Sequence, residues 1–583
     1  MISITCCIPH FTMNYMKILF CHKRERVSVR PSKSNFVALF VMAGTIFGGG
    51  VWGGEKPAGA YSFLYENLPF KMEMVRQPSI PDYRVSIEEF GAKPDGITSN
   101  TKAFAAAIDA VVKKGGGTVV IPEGLWFTGP IVLKSKVNLH AEKGALVLFS
   151  DNYDEYPLVE NSYKGGMKWR TLSPLSAENA EDIAITGEGI FDGNGVYWRP
   201  ARKSYTPART WNELTARGGV LVESNTVWYP TAGALEGRKI RANSPSKLLT
   251  LSEQEAREIK VFLRPVMVGL INCKRVLISG PTFQNPPAWT LHPLLCEDVT
   301  ITDVKVFNEV WAANADALDL ESCRNVIVYN CIFDAGDDAI TIKSGWNESG
   351  RKRGVPTENV IVSKCVVYSG HGGFVVGSEM SGGVRNIDVR HCTFIGTDNG
   401  LRFKSTRGRG GVVENIFISD INMINIGLYA ILYDLYYSDR DGKNAGIQPV
   451  NEGTPQFKNI YMKNIVCKGA SRAVLLQGLP EMPLKYINLE NVIIEANSGV
   501  VCSDAESITM KNVDIRALSP EAMNISNALK LDFDNCSFKG KEKQSIQVSG
   551  EKTEDIVFRN STIGLDTIKI DDKVKAGAVK AGR

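Results

Sequence analysis

The sequence predicts an all-β chain wound as a parallel β-solenoid, with one helix capping its N-terminal end. Three observations carry this reading. From Val276 onward one phrase recurs: a polar residue, then Val or Ile, then strict alternation. Asn325-Val-Ile-Val-Tyr-Asn-Cys-Ile-Phe333, Asn359-Val-Ile-Val-Ser-Lys-Cys-Val-Val367 and Asn386-Ile-Asp-Val-Arg-His-Cys-Thr-Phe394 are examples. Alternation of period two in short runs means strands with one buried face. The first β-branched residue of each phrase falls at 276, 299, 326, 360, 387, 416, 460, 487 and 508. Most of these steps are too short for a propeller blade of ~40–50 residues. Helix-length apolar patterns are missing between the phrases, so strands and turns must fill each repeat.

Taken in order, residues 1–60 read as a targeting segment. A basic stretch from Lys23 to Lys33 precedes the apolar run Phe36-Val-Ala-Leu-Phe-Val-Met-Ala-Gly-Thr-Ile-Phe47, and Ala58-Gly59-Ala60 supplies small residues for cleavage. The run is too short for a membrane span of ~20 residues, so a secreted or periplasmic protein without stable membrane insertion is expected. Residues 61–84 form an N-terminal extension, and the repeat domain covers 85–570. Within it, Thr101-Lys-Ala-Phe-Ala-Ala-Ala-Ile-Asp-Ala-Val-Val-Lys-Lys114 places Phe104, Ile108 and Val111 on one helical face, and Gly115-Gly-Gly117 ends it. Such a helix would cover the open end of a solenoid. Residues 195–264 break the rhythm. They hold Trp198, Trp211, Trp228 and Tyr229, side chains suited to stacking on sugars, and close with Ser252-Glu-Gln-Glu255, a capping box. This insertion is expected to fold over one end of a groove. The Lys-rich segment 571–583 reads as a flexible tail.

Composition excludes some functions. Of 67 Lys and Arg, seven lie in residues 1–60, against two of 63 acids. The remainder is near neutral, which gives no footing for nucleic acid. Nine cysteines follow the leader, several at equivalent repeat positions, and none forms a C-x-x-C pair. They read as small apolar residues inside the repeat, with no metal site and no cofactor.

Four segments place reactive residues at the edge of apolar strands: Asn314-Ala315-Asp316, Gly336-Asp337-Asp338, Gly370-His371-Gly372 and Arg402-Phe403-Lys404. Each alone is weak, since Gly-Asp-Asp is usually a turn and a lone His usually structural. Aligned by their inward residues, Leu318 and Leu320 match Ile340 and Ile342, Phe374 and Val376, then Leu401 and Phe403. The polar residues then form one row about 15 Å long at ~4.8 Å per coil. Crowded carboxylates supply an acid and a base, and a cationic pair suits an anionic sugar.

These motifs, in this order, resemble glycoside hydrolase family 28, the polygalacturonases and their pectin-cleaving relatives. Phe90-Gly-Ala-Lys-Pro-Asp-Gly96 and Gly115-Gly-Gly-Thr-Val-Val-Ile-Pro122 extend the likeness to about residues 84–570. The resemblance implies a right-handed parallel β-helix and an inverting hydrolase of pectic polysaccharide or oligogalacturonide. It makes Asp337 the general acid and Asp316 and Asp338 the activators of water. His371 would support the site, while Arg402, Lys404 and Asn314 would bind substrate. Inversion predicts that Asp337 and Asp316 lie ~6.5–9.5 Å apart. Ala315 replaces the family's Thr and Phe403 its Ile, and neither change removes a reacting group. Rhamnogalacturonan or xylogalacturonan hydrolysis, a calcium-dependent lyase and a non-catalytic carbohydrate-binding β-helix are the alternatives.

Overall fold

The computed structural model describes residues 59–160, 166–437, 439, 442, 445–540, 543–562 and 565–582. The expected targeting segment therefore lies almost entirely outside the described residues. Strands pair in parallel into two long stacks, of 25 and 14 members, making a right-handed parallel β-helix. No helix among the described residues is long and apolar enough to cross a membrane.

The recurring phrase is the coil. Val276 pairs with Val299, and the register continues through Val326, Val360, Ile387, Ile416, Ile460, Ile487 and Ile508. All are buried, so one column of β-branched side chains runs through the core. The steps between phrases vary because turns, not strands, absorb the difference.

The polar residue that opens each phrase turns the chain. Asn325, Asn359, Asn386 and Asn415 have φ of 54° to 58°, the left-handed region that Asn tolerates. Their amides also bond along the stack. Asn359 Nδ2 donates to Asn325 Oδ1 at 3.2 Å, and Asn386 to Asn359 at 3.1 Å. A second ladder joins Asn464, Asn491, Asn512 and Asn535 at 2.8–3.1 Å. Asn suits this role because its side chain both donates and accepts. The cysteines form columns too. Cys273, Cys296 and Cys323 precede register-paired residues on successive coils, as do Cys331, Cys365 and Cys392. All nine described cysteines are buried and free.

Helix α1 (Thr101–Lys113) buries Phe104, Ala107, Ile108 and Val111 in the same core as Val85, Val119 and Val137, so it covers the end of the first coil. Residues 61–77 cross the outside of the coils, where Tyr61, Leu64 and Val75 pack on Ile327 and Ile361. The segment after Ile570 is no free tail. Val579–Gly582 pairs in parallel with Glu554–Arg559, and Val574 and Ala578 are buried.

The inserted region contains α2 (Ala208–Ala216), α3 (Ala232–Asn243), α4 (Glu253–Glu258) and a three-stranded antiparallel sheet. Ser252 and Glu255 make the capping box, with Glu255 N donating to Ser252 Oγ at 3.2 Å. Trp198, Trp211 and Trp228 are buried in small local cores rather than presented to a sugar. The reason is physical: three short helices and a small sheet need apolar anchors of their own.

The site is carried by five successive strands of the 14-stranded stack: β1 (Leu291–Leu294), β2 (Leu318–Glu321), β3 (Asp338–Lys343), β4 (Gly372–Gly377) and β5 (Asn399–Lys404). Leu318, Ile340, Phe374 and Leu401 pair in register, as do Leu320, Ile342, Val376 and Phe403. Both rows are buried, which turns the alternate residues towards the groove.

Candidate active site

Asp316 stands two residues before the paired Leu318 of β2, and Asp338 two before Ile340 of β3, so their backbones align on adjacent coils. Two bonds fix the height of Asp316: Thr290 N donates to its carbonyl at 2.8 Å, and Ala317 N donates to the Asp338 carbonyl at 3.0 Å. Buried Asn308 holds the loop from behind, donating to the Ala315 carbonyl and the Thr290 hydroxyl. The glycines of two motifs answer to close approach. A Cβ on Gly336 would meet the Ala312 and Glu309 carbonyls at 2.6 Å; Gly370, at φ 145°, would meet the Asp337 carbonyl at 2.7 Å.

Asp316, Asp337 and Asp338 converge, with one oxygen of each within 4.8 Å of the others. Between these oxygens the approach is closer than the ~6.5–9.5 Å between the carboxyl groups of an inverting pair, so the distance does not argue for inversion. The three differ in access. Asp316 is 3% exposed and the Asp338 side chain 1%, whereas the Asp337 side chain keeps 21% of its surface. His371 lies against Asp337: its backbone N donates to the Asp337 carbonyl at 2.7 Å, and Nδ1 lies 3.1 Å from Oδ1. Asn399 Nδ2 bonds the His371 carbonyl at 2.6 Å and fixes that turn.

Arg402 and Lys404 do point out of β5 together, but they reach back two coils. Arg402 Nη1 sits 3.0 Å from Asp338 Oδ1, and Lys404 Nζ 2.5 Å from Oδ2. Tyr437 covers both cations, at 5.6 and 4.9 Å from its ring centre. Both Asp338 oxygens are thus committed to cations, which suits a fixed anion better than a metal ligand, since a hard cation needs several free oxygens.

Electrostatics separate the carboxylates. Burial opposes ionisation of Asp338, but Lys404, Arg402 and Lys343 outweigh it and hold the carboxyl well below the usual range. Burial pushes Asp316 well above that range, and the charges of Asp319 and Asp337 add to the shift. The hydrogen bond to Asp337 raises the His371 pKa against the effect of burial.

A supporting layer escaped the sequence reading. Lys343 Nζ lies 3.0 Å from Glu379 and 3.4 Å from buried Asp319, and 4.5 Å over the Trp289 ring. Burial pushes Asp319 up to about 8 despite the pull of Lys343, whose charge Glu379 holds more closely. Asp319 and Lys343 were visible only as charges at outward strand positions. Asn314, exposed at φ 57°, accepts from Arg264 Nη2 at 2.9 Å. Arg264 belongs to the insertion, and no motif announces it. With Arg170, Arg241, Phe262, Trp289 and Trp346 it lines a cavity of about 180 Å³, and the charge of Asp316 acts on Arg264 there.

Comparisons with known proteins show the family to which these motifs point. The model of Glycosyl hydrolases family 28 matches residues 253–536, which hold the four motifs of the site. A second model, Rhamnogalacturonase A/epimerase, pectate lyase-like, matches residues 84–166. The chain is 26% identical to a probable polygalacturonase of Vitis vinifera, over 73% of this chain and 78% of that one. It is 30% identical to an exo-poly-alpha-D-galacturonosidase of Dickeya chrysanthemi, over 61% of this chain and 58% of that one. A solved exopolygalacturonase from Thermotoga maritima is 32% identical, with a TM-score of 0.64, covering 76% of this chain and 94% of that one.

Proposed function

Because this chain belongs to glycosyl hydrolase family 28, we propose that it degrades pectin by hydrolysing α-1,4-galacturonosyl linkages from a chain end. One observation carries the proposal: three carboxylates converge at the groove, next to an arginine-lined cavity built partly by the insertion. Relatives named exo-poly-alpha-D-galacturonosidase and exopolygalacturonase support cleavage at the end.

The roles follow from access and charge. Asp337 opens to the groove and is the general acid, giving its proton to the glycosidic oxygen as the C1–O bond breaks. Asp338, kept ionised by Arg402 and Lys404, takes a proton from the attacking water, whose oxygen bonds to C1. Asp316 orients that water through an oxygen that has no other hydrogen-bond partner. Burial raises the pKa of Asp316, so this carboxyl keeps a proton more readily than its neighbours' charges alone would make it. His371 positions Asp337. Inversion rests on family membership.

The deciding experiment is product analysis on polygalacturonate and trigalacturonate. Monogalacturonate should be the first product, as the inverted anomer by proton NMR, with no unsaturated ends and no loss of rate in chelator. A ladder of oligomers in early digests would refute end cleavage; unsaturated, chelator-sensitive products would make the protein a lyase. The leader supports export, and N-terminal sequencing of protein recovered outside the cytoplasm would show its removal.

A further inference from the structure

Arg402 and Lys404 already neutralise Asp338, so they leave open what reads the charge of the terminal sugar. The cavity offers three more cations from two different parts of the chain. Arg170 comes from the strand Trp169–Thr171, Arg241 from α3, and Arg264 from the end of the insertion. None makes an ion pair with a described acid, and only longer-range attraction reaches them, from Glu321 and Asp319 on Arg170, Glu379 on Arg241 and Asp316 on Arg264. The side chains of Arg170 and Arg241 make no hydrogen bond or ion pair with another described residue, and Arg170 Nε is buried without a partner. Arg264 donates only to neutral groups, the Pro287 and Ala313 carbonyls and Asn314 Oδ1.

The acids at the cavity edge are engaged elsewhere. Glu321 is held by Arg353 at 2.7 Å and His292 at 3.0 Å, and Glu379 by Lys343. Burial, together with repulsion from Arg199, Arg170 and Arg241, loosens Arg264's hold on its proton and outweighs the pull of Asp316. Trp289 and Trp346 supply flat walls. A cavity of about 180 Å³ is smaller than the ~300–1,000 Å³ that holds a drug-sized ligand, and suits one sugar ring.

We infer that Arg170, Arg241 and Arg264 form the receptor for the carboxylate of the terminal galacturonate, the unit that makes this enzyme select a charged chain end. The inference rests on the exo-hydrolase reading above. It assigns charge recognition to the insertion and its neighbouring strand, and leaves Arg402 and Lys404 to the reacting carboxylate. Guanidinium forks match a carboxylate with paired hydrogen bonds, which explains arginine at all three positions.

The test is a substrate-by-variant cycle. Arg241→Gln and Arg170→Gln are compared with wild type on trigalacturonate and on the same trimer with only its terminal carboxyl methyl-esterified. On the free acid each variant should raise KM about tenfold or more, with kcat changed much less. On the ester, wild type should show a similar rise and the variants no further loss. Arg241→Lys should recover part of the affinity. Equal losses on both substrates, or an unchanged KM, would overturn the inference. If wild type did not cleave trigalacturonate at all, the exo-hydrolase reading would fall first. Calorimetry with galacturonate would then decide separately: binding to wild type that Arg241→Gln abolishes supports the receptor, and no binding refutes it.

Discussion

Asp338 carries two cations on its two oxygens, and that arrangement has a consequence for pH. The cations keep it ionised far into the acid range. Lys404→Met removes the closer one, so the Asp338 carboxyl will take up a proton at a higher pH. The acidic limb of kcat should therefore move to higher pH, and kcat at the old optimum should fall, with KM changed much less. An unmoved acidic limb would show that Lys404 does not serve Asp338. For Asp337→Asn, kcat should fall by about 10³ with the melting temperature little changed, since general acid catalysis is worth ~10²–10⁴. Near-normal turnover would remove Asp337 from its role. The four motifs put the reacting residues within reach of sequence reading because chemistry demands those residue types beside inward-facing strands. The targets of Arg402 and Lys404 were not readable. Long side chains cross two coils, and only three-dimensional placement of Asp338 shows which way they lean.

At the level of the strand and turn, the asparagine ladder sets the register. Asn359 sits at φ 58° with a ladder bond on either side. Asn359→Ala loses both bonds and leaves in the left-handed region a residue without the polar side chain that makes it tolerable there, for a cost of about 2–4 kcal/mol. Asn359→Gly loses the bonds but not the backbone freedom, and should cost about half as much. Urea titration of the two variants separates the contributions, and equal losses would mean the backbone conformation contributes nothing. Strands were legible because alternation is a short-range signal and each phrase repeats it. The insertion was legible only as an interruption. Its tryptophans satisfy local cores that no periodic pattern describes, so their aromatic content was misread as sugar-facing. The last strand was missed for a related reason: a Lys-rich segment needs only Val574 and Ala578 to dock on a coil that already exposes its edge.

Taken whole, the molecule is a stack whose insertion brings Arg241 and Arg264 to a cavity next to the catalytic coils, which under the exo-hydrolase reading receives the chain end. Viscosity of polygalacturonate should therefore fall slowly for each reducing end released. A steep early fall would mean the chain threads through. The stack also buries every described cysteine, with burial raising Cys296 and Cys365 well above the usual thiol range, and the contact with Cys365, then burial, raising Cys392. A thiol reagent can reach them only after neighbouring coils part, so labelling becomes a stopwatch for the opening of the helix, fastest where the stack frays. Counting reports on processing as well. Fully denatured protein should titrate nine thiols once the leader and its Cys6, Cys7 and Cys21 are gone, and twelve while they remain.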